Sequence, residues 1–434
     1  MRRRVPAGLD RAVPAFVQPM IGRRAVLATG VGVALAGCTG TPPTPESKRF
    51  DPKDWDSVRA QFPLDPGLAH FAAFVLAAHP APVRAAIDRH RAALDADTSA
   101  VLHGAVDHEQ RARTAAAGYL GADPGEVALT DSTTMGMGLL CAGLKLKPGQ
   151  DIVTTEHDFF GSHEALRLLS ERTGAPVRRA RLYDDPAAAN EGDIVARLRA
   201  AVGPRTRLVV ITWVHSSTGV RLPVKTIAGM LAELNAARDP ADRALLAVDG
   251  VHGFAAVDTT VTDLGCDFLT AGTHKWLFGP RGTGLLWSRA WAAVAPVIPS
   301  FSAGDTPGSL ATPGGYHSFE HRWAVTEAFE FHQAIGRDRI AARIREQATR
   351  LKDGLAAIRN VRLVTPRDPD LSAGLVMCAL PTVSPVEAVG RLRADHKIVA
   401  SVTPYAEPFL RFGPGIVTTP GQVDQVIKAV AAFG

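Results

Sequence analysis

From Glu126 onward, short runs of β-branched and aliphatic residues alternate with longer stretches in which apolar positions recur every three or four residues. EVALT at 126–130, DIVTT at 151–155, RLVVITWV at 207–214, ALLAVD at 244–249 and DFLTAG at 267–272 read as strands. TTMGMGLLCAGL, HEALRLLSERT and TIAGMLAELNAA, lying between them, read as helices. The alternation predicts an α/β body around a mostly parallel sheet. Near Tyr316 long amphipathic helices take over, and Ile340, Ile344, Leu351, Leu355 and Ile358 fall on one helical face. LVMCAL, a helix around Val386 to Leu392, a short strand near Phe409 and a terminal helix from Gln422 then predict a smaller α+β domain. No internal repeat interrupts this order.

Composition narrows the class. The chain has 434 residues, 46% of them hydrophobic and 21% charged, which excludes disorder and a disulfide scaffold and leaves material for a large core. A formal charge of +5 would suggest a nucleic-acid or anionic-membrane partner, but its placement argues otherwise. Residues 1–37 hold Arg2, Arg3, Arg4, Arg11, Arg23 and Arg24 against the single acid Asp10, so the remainder is neutral and no nucleic acid is expected.

That basic stretch precedes AVLATGVGVALAG at 25–37, which is too short to span a bilayer of roughly 30 Å. A basic n-region, a short apolar run and small residues before a break predict a secretory signal peptide over 1–37. Leu35-Ala36-Gly37-Cys38 has the form of a lipobox, with Cys38 as the acylated residue, and Arg23-Arg24 resembles a twin-arginine export signal. Met1 and Met20 both remain possible starts. TGTPPTPESKRFDPKDW follows and reads as an extended tether over 38–64, so the expected location is the cell envelope, with membrane contact only through the lipid. A large domain over 65–315 and the smaller one over 316–434 complete the expected organisation. Cys141, Cys266 and Cys378 show neither CxxC pairing nor metal spacing, so neither a disulfide framework nor a metal site is expected.

Candidate chemistry concentrates between Val248 and Trp287. Asp249 and His252 sit at the carboxyl end of an apolar strand, where open α/β sheets bind ligands. Thr273-His274-Lys275-Trp276 follows the next strand, and Gly279-Pro280-Arg281-Gly282-Thr283-Gly284 follows the lysine. A lysine boxed between a strand and a glycine-rich turn suits an amine nucleophile that forms a Schiff base with an aldehyde cofactor. Pyridoxal phosphate would also need an acid for its ring nitrogen, a flat group on the ring and a phosphate cup.

Together these motifs resemble the class V aminotransferase family of fold-type I pyridoxal-phosphate enzymes over roughly 65–434. The isopenicillin N epimerase-like and cysteine desulfurase-like branches are nearest, and Phe319 to His332 resembles the helix entry of the former. The resemblance implies an external-aldimine enzyme in which Lys275 binds the cofactor and takes the Cα proton, Asp249 pairs with the ring nitrogen and His274 binds the phosphate. Thr133 and Thr134 match the phosphate turn, a helix N-terminus suited to a dianion, although Ser132 equally well reads as the cap of that helix. His157 matches the residue stacked on the ring, with Phe159 as its fallback.

Two positions depart from the desulfurase pattern. His252 stands where glutamine is usual, and His215-Ser216-Ser217 where asparagine is, with Ser216 as the candidate contact. Arg411 matches the arginine that clamps a substrate carboxylate. The loop before it, SVTPYAEPFL, lacks the cysteine a desulfurase needs, which leaves epimerisation, transamination and carbon–sulfur lysis of a small amino acid. His157, His252 and Tyr405 are candidates for a second acid–base role. A catalytically weak or inactive binding lipoprotein at the membrane surface is the alternative. The resemblance further implies a homodimer, with Gly314-Gly315 where a partner loop approaches the phosphate.

Overall fold

The computed structural model describes residues 50–301 and 304–433; the expected leader, Cys38 and the first part of the tether lie outside these. In chain order the strands are β1 (Ala69–His70), β2 (Val127–Thr130), β3 (Asp151–Thr155), β4 (Val177–Ala180), β5 (Thr206–Thr212), β6 (Leu245–Asp249) and β7 (Phe268–Gly272). Then come β8 (Gly284–Ser288), β9 (Arg362–Leu363), β10 (Val376–Ala379), β11 (Ile398–Val399), β12 (Ser401–Val402) and β13 (Leu410–Phe412).

Seven strands form the central sheet in the order β2-β8-β7-β6-β5-β3-β4. β8 alone runs antiparallel to its neighbours, so the sheet is mostly parallel, as the alternating pattern predicts. Every residue of β5, TRLVVIT, is buried, as a central strand covered by helices on both faces requires. Because the parallel strands share one direction, their carboxyl ends line up along one edge, and the candidate residues follow those ends: Thr133 after β2, His157 after β3, Ser216 after β5, His252 after β6 and Lys275 after β7. β8 is the strand the sequence pattern does not announce, because the glycine-rich turn masks the apolar GLLWS behind it.

The C-terminal region adds an antiparallel sheet in the order β12-β13-β10-β9, packed against helices Pro385–His396 and Pro420–Ala431. Two expected boundaries move. The tether expected to reach residue 64 folds from Phe50: helix Trp55–Ala60 is capped by Asp54, and Val58 and Phe62 enter the main core. Its apolar positions were hidden among the Pro and Lys residues around them. Residue 316 also marks no break in packing. Helices Phe319–Trp323 and Val325–Ile335 lie on helices Ala81–Ala96 and Ala105–Leu120, and Phe329 and Phe331 join the large core. The long helix Arg337–Ala356 then serves both cores, with Ile340 and Ile344 in the larger and Leu351 and Leu355 in the smaller. Ile358 falls just beyond its end and still packs on the smaller core. β1 pairs in parallel with β11, so the N-terminal segment also ties the two regions together.

Helix Thr133–Gly143 touches the sheet at Gly136, where an added Cβ would lie 2.0 Å from Thr270 Oγ1. Alanine ordinarily stabilises a helix interior relative to glycine by up to about 1 kcal/mol. Here Gly136→Ala is expected to destabilise the protein by about 1–3 kcal/mol, because the methyl must push the helix off β7. A denaturant midpoint at or above wild type would contradict this close approach.

Candidate active site

Asp249 ends β6 with its carboxylate 2% exposed. It accepts hydrogen bonds from the Val251 N–H at 3.1 Å and the Ser162 hydroxyl at 3.2 Å. Burial nevertheless pushes its pKa up to about 6, and the charge of Lys275 offsets this only in part. Lys275, just past β7, shows the reverse. Burial foremost, then Arg411, bring its ammonium down to about 8, while Asp249 pulls the other way. An amine so placed gives up its proton near pH 8 rather than at its ordinary 10.5, which eases its use as a nucleophile.

The helix after β2 opens at Thr133 and is capped by Ser132, whose hydroxyl accepts from the Met135 N–H at 3.1 Å. The capping reading of Ser132 therefore holds, and it leaves the N–H groups of Thr133 and Thr134 at a positive helix end. Thr133 Oγ1 accepts from the Gly272 N–H at 2.7 Å, which joins this turn to β7. A Cβ on Gly272 would lie 2.8 Å from the His274 ring and 3.4 Å from Thr133 Oγ1, so these two side chains meet over a glycine floor. His274 Nδ1 is buried and unpartnered.

His157 lies flat on Tyr183, with centroids 3.8 Å apart and planes 11° apart, and its Nε2 accepts from the Leu182 N–H at 3.3 Å. Burial first, with His215 beside it, lowers its pKa to about 3. Phe159 instead occupies the position just before helix Phe160–Thr173, without a side-chain cap bond, and packs on Phe160. Tyr183 hydrogen-bonds His215 Nδ1 and Thr218 Oγ1, each at 2.8 Å. Below this group Asp158, 1% exposed, accepts from Thr154 Oγ1 and the N–H groups of Thr155 and Thr212, clasping the ends of β3 and β5.

Arg411 on β13 is 7% exposed and lies over the Phe74 ring at 4.9 Å. Its Nε donates to Ser401 Oγ at 3.0 Å, and its terminal nitrogens donate to the Ser216 and Val402 carbonyls at 3.3 Å each. Of five guanidinium N–H groups two remain, one on each terminal nitrogen, and no carboxylate pairs with the side chain among the described residues. Burial lowers its pKa to about 10. Ser216 also bonds through its hydroxyl to Tyr405 Oη, at the tip of the β12–β13 hairpin. Burial pushes that phenol up to about 12, so it keeps its proton.

His252 is 3% exposed and well below its ordinary pKa through burial, with Lys275 and Arg411 adding to the effect. A titrating imidazole is therefore replaced by a fixed neutral one. The three described cysteines are buried and pushed up to about 12, so none offers a thiolate. Sequence reasoning missed Tyr183, Ser162, Phe74 and Asp158. The first three had no motif around them, whereas Asp158 was visible in TTEHDFF beside a histidine that took precedence.

The chain matches the model of the aminotransferase class-V family over residues 87–402 and belongs to that family, whose cofactor is pyridoxal phosphate. It is 29% identical over 404 residues to isopenicillin N epimerase of Streptomyces clavuligerus, covering 88% of this chain and 98% of that one. Its fold is like that of C-DES, seen as a lysine-to-alanine mutant with glycine covalently linked to the PLP cofactor: TM-score 0.79, 21% identity, covering 87% of this chain and 99% of that one. The cysteine desulfurase CsdA from Escherichia coli is similar at TM-score 0.74 and 20% identity, covering 88% and 98% respectively.

The residues fit the cofactor. An under-neutralised buried acid suits a protonated ring nitrogen, a depressed amine suits the aldehyde, and an orphaned imidazole nitrogen beside a helix N-terminus suits a phosphate. Lys275 also sets a pH signature in the apoprotein. Its folded pKa, about 8, lies below its ordinary 10.5, so folding works against a proton the unfolded chain would keep. The cost is full below pH 8 and gone above 10.5. Apo Lys275→Met should therefore resist urea better than wild type at pH 7, with the advantage fading from pH 8 to 10.5. A pH-independent difference would contradict the burial of a charged amine.

Proposed function

We propose that the protein transfers the Cα proton of a small amino acid, with epimerisation as the net reaction. The observation that carries this reading is Arg411, a buried guanidinium with two uncommitted N–H groups and no countercharge, in the same cleft as a depressed lysine. A substrate α-carboxylate completes the Arg411 fork and sets Cα within the cleft. Bound pyridoxal phosphate supplies the electron sink that makes the Cα–H bond acidic. Lys275 Nζ accepts the proton.

Inversion requires a second proton carrier. His157 and His252 are held neutral, whereas Tyr405 carries a proton and has Arg411 nearby to favour the phenolate formed when Oη gives it up. Reaction of the opposite enantiomer returns the proton to Tyr405 and takes it from Lys275. The absence of cysteine from residues 401–410 argues against persulfide chemistry, and the near-full-length likeness to an isopenicillin N epimerase supports this choice. In deuterated buffer, Cα exchange and appearance of the opposite enantiomer are expected across a panel of L- and D-amino acids. Lys275→Ala should abolish both, and the visible absorbance of the bound cofactor as well. Tyr405→Phe should lower inversion at least tenfold while retaining exchange. No exchange with any amino acid would sink the reading.

We further propose that the enzyme is exported folded, with its cofactor, and held to the cell envelope through a lipid on Cys38, on the strength of Arg23-Arg24, the apolar run after them and the lipobox-like LAGC. Replacing Arg23 and Arg24 by lysines should strand active enzyme in the cytoplasm. Unchanged export would point to an unfolded-chain route. A homodimer is part of the same proposal, supported by the exposed apolar side chains of Ile298, Phe301 and Tyr316 around Gly314-Gly315.

A further inference from the structure

A neutral imidazole can carry its proton on either nitrogen, and the two tautomers show the cleft opposite characters, donor or acceptor. At His252 a neighbour decides between them. The Trp276 indole N–H can only donate, and it meets His252 Nδ1 at 3.3 Å with both rings buried. Nδ1 must therefore be the accepting nitrogen, which leaves the proton on Nε2. That nitrogen has no hydrogen-bond partner among the described residues, and the charges that act on the ring are those of Lys275 and Arg411, which belong to the cleft.

The arrangement has little freedom to change. Phe74 meets the His252 ring edge-on at 5.9 Å and stacks on the Trp276 ring at 6.1 Å. The backbone closes in behind both: a Cβ on Gly374 would stand 2.4 Å from the Trp276 ring, and one on Gly413 would stand 2.1 Å from Phe74. The other tautomer would set Nδ1–H against the indole N–H, and a turned ring would set Cδ2–H there; either leaves a buried donor unpaired.

We propose that Trp276 is a positioning residue, which locks His252 as an Nε2–H donor directed at an anionic oxygen of the bound ligand. This rests on the cofactor reading above, in which that oxygen is the ring phenolate of pyridoxal phosphate. The donor favours the anion and thereby lowers the pH at which the cofactor loses its exchangeable proton. The lock itself exists without the cofactor and can be read there.

Histidine-selective ¹⁵N labelling of the apoprotein, with the His252 signals identified by their loss in His252→Gln, should show a protonated Nε2 and a bare Nδ1. Trp276→Phe should turn this into a mixture of tautomers. In the holoenzyme Trp276→Phe should raise the pH midpoint of the cofactor's visible absorbance by about one unit. In the His252→Leu background the same substitution should leave the midpoint unmoved, because that side chain has no donor for Trp276 to orient. A wild-type apoprotein with its proton on Nδ1, or equal midpoint shifts in both backgrounds, would overturn the proposal. If Trp276→Phe fails to fold, the wild-type tautomer decides. A protein that carries no cofactor absorbance would refute the cofactor reading while leaving the tautomer measurement to judge the lock.

Discussion

A carboxylate buried at the end of a central strand, with two neutral donors and no cation bonded to it, is an expensive object, and Asp249 is one. Its pKa rises, Lys275 falls beside it, and Arg411 falls a little further off. Acid and bases are all displaced toward neutrality because none can reach a partner of opposite charge at bonding distance. Each misfit has the sign that a ligand would relieve: a protonated ring nitrogen for the acid, an aldehyde for the amine, a carboxylate for the guanidinium. The charge frustration of the cleft is therefore a negative image of the ligands it suits.

Holding such groups in place demands rigidity around them, and the sheet supplies it. Asp158 takes three hydrogen bonds from the ends of β3 and β5, so the turn bearing His157 and the turn bearing Ser216 are fixed to one carboxylate. Thr133 does the equivalent between the helix N-terminus and β7. Tyr183 backs His157 face to face, and its hydroxyl is in turn held by His215 and Thr218. Histidine in a plain loop would swing; pressed on a buried phenol and fixed through Nε2, it presents a stationary plane.

Much of this was legible because it follows from periodicity and strand ends. Continuous apolar runs mark β3, β5, β6 and β7; the rule that ligands gather at their carboxyl ends points to Asp249 and His252, and the place of Lys275 between a strand and a glycine-rich turn points to the amine, without any contact information. What stayed hidden was of two kinds. Elements whose signal was overlaid by another were misread, as with β8 behind the glycine-rich turn and helix Trp55–Ala60 inside a Pro- and Lys-rich stretch. Side chains whose meaning is purely spatial were missed altogether. Phe74 touches Trp276, His252 and Arg411, residues 178 to 337 positions downstream, and nothing about a phenylalanine in HFAAFVL announces that.

The departure at Ser216 and the missing cysteine before Arg411 show why spatial reading changes the chemistry as well as the geometry. Along the sequence, the missing cysteine before Arg411 and the serine in place of asparagine after β5 are separate oddities. In the fold they are one hydrogen bond, between Tyr405 and Ser216, and the Ser216 carbonyl also accepts from Arg411. A mobile loop carrying a thiol has to reach a substrate sulfur and withdraw. A hairpin latched to the large domain beside the carboxylate-binding fork is instead suited to stay and exchange a proton. The absence of the thiol and the presence of the latch thus fall on the same loop, where Tyr405 is held by Ser216.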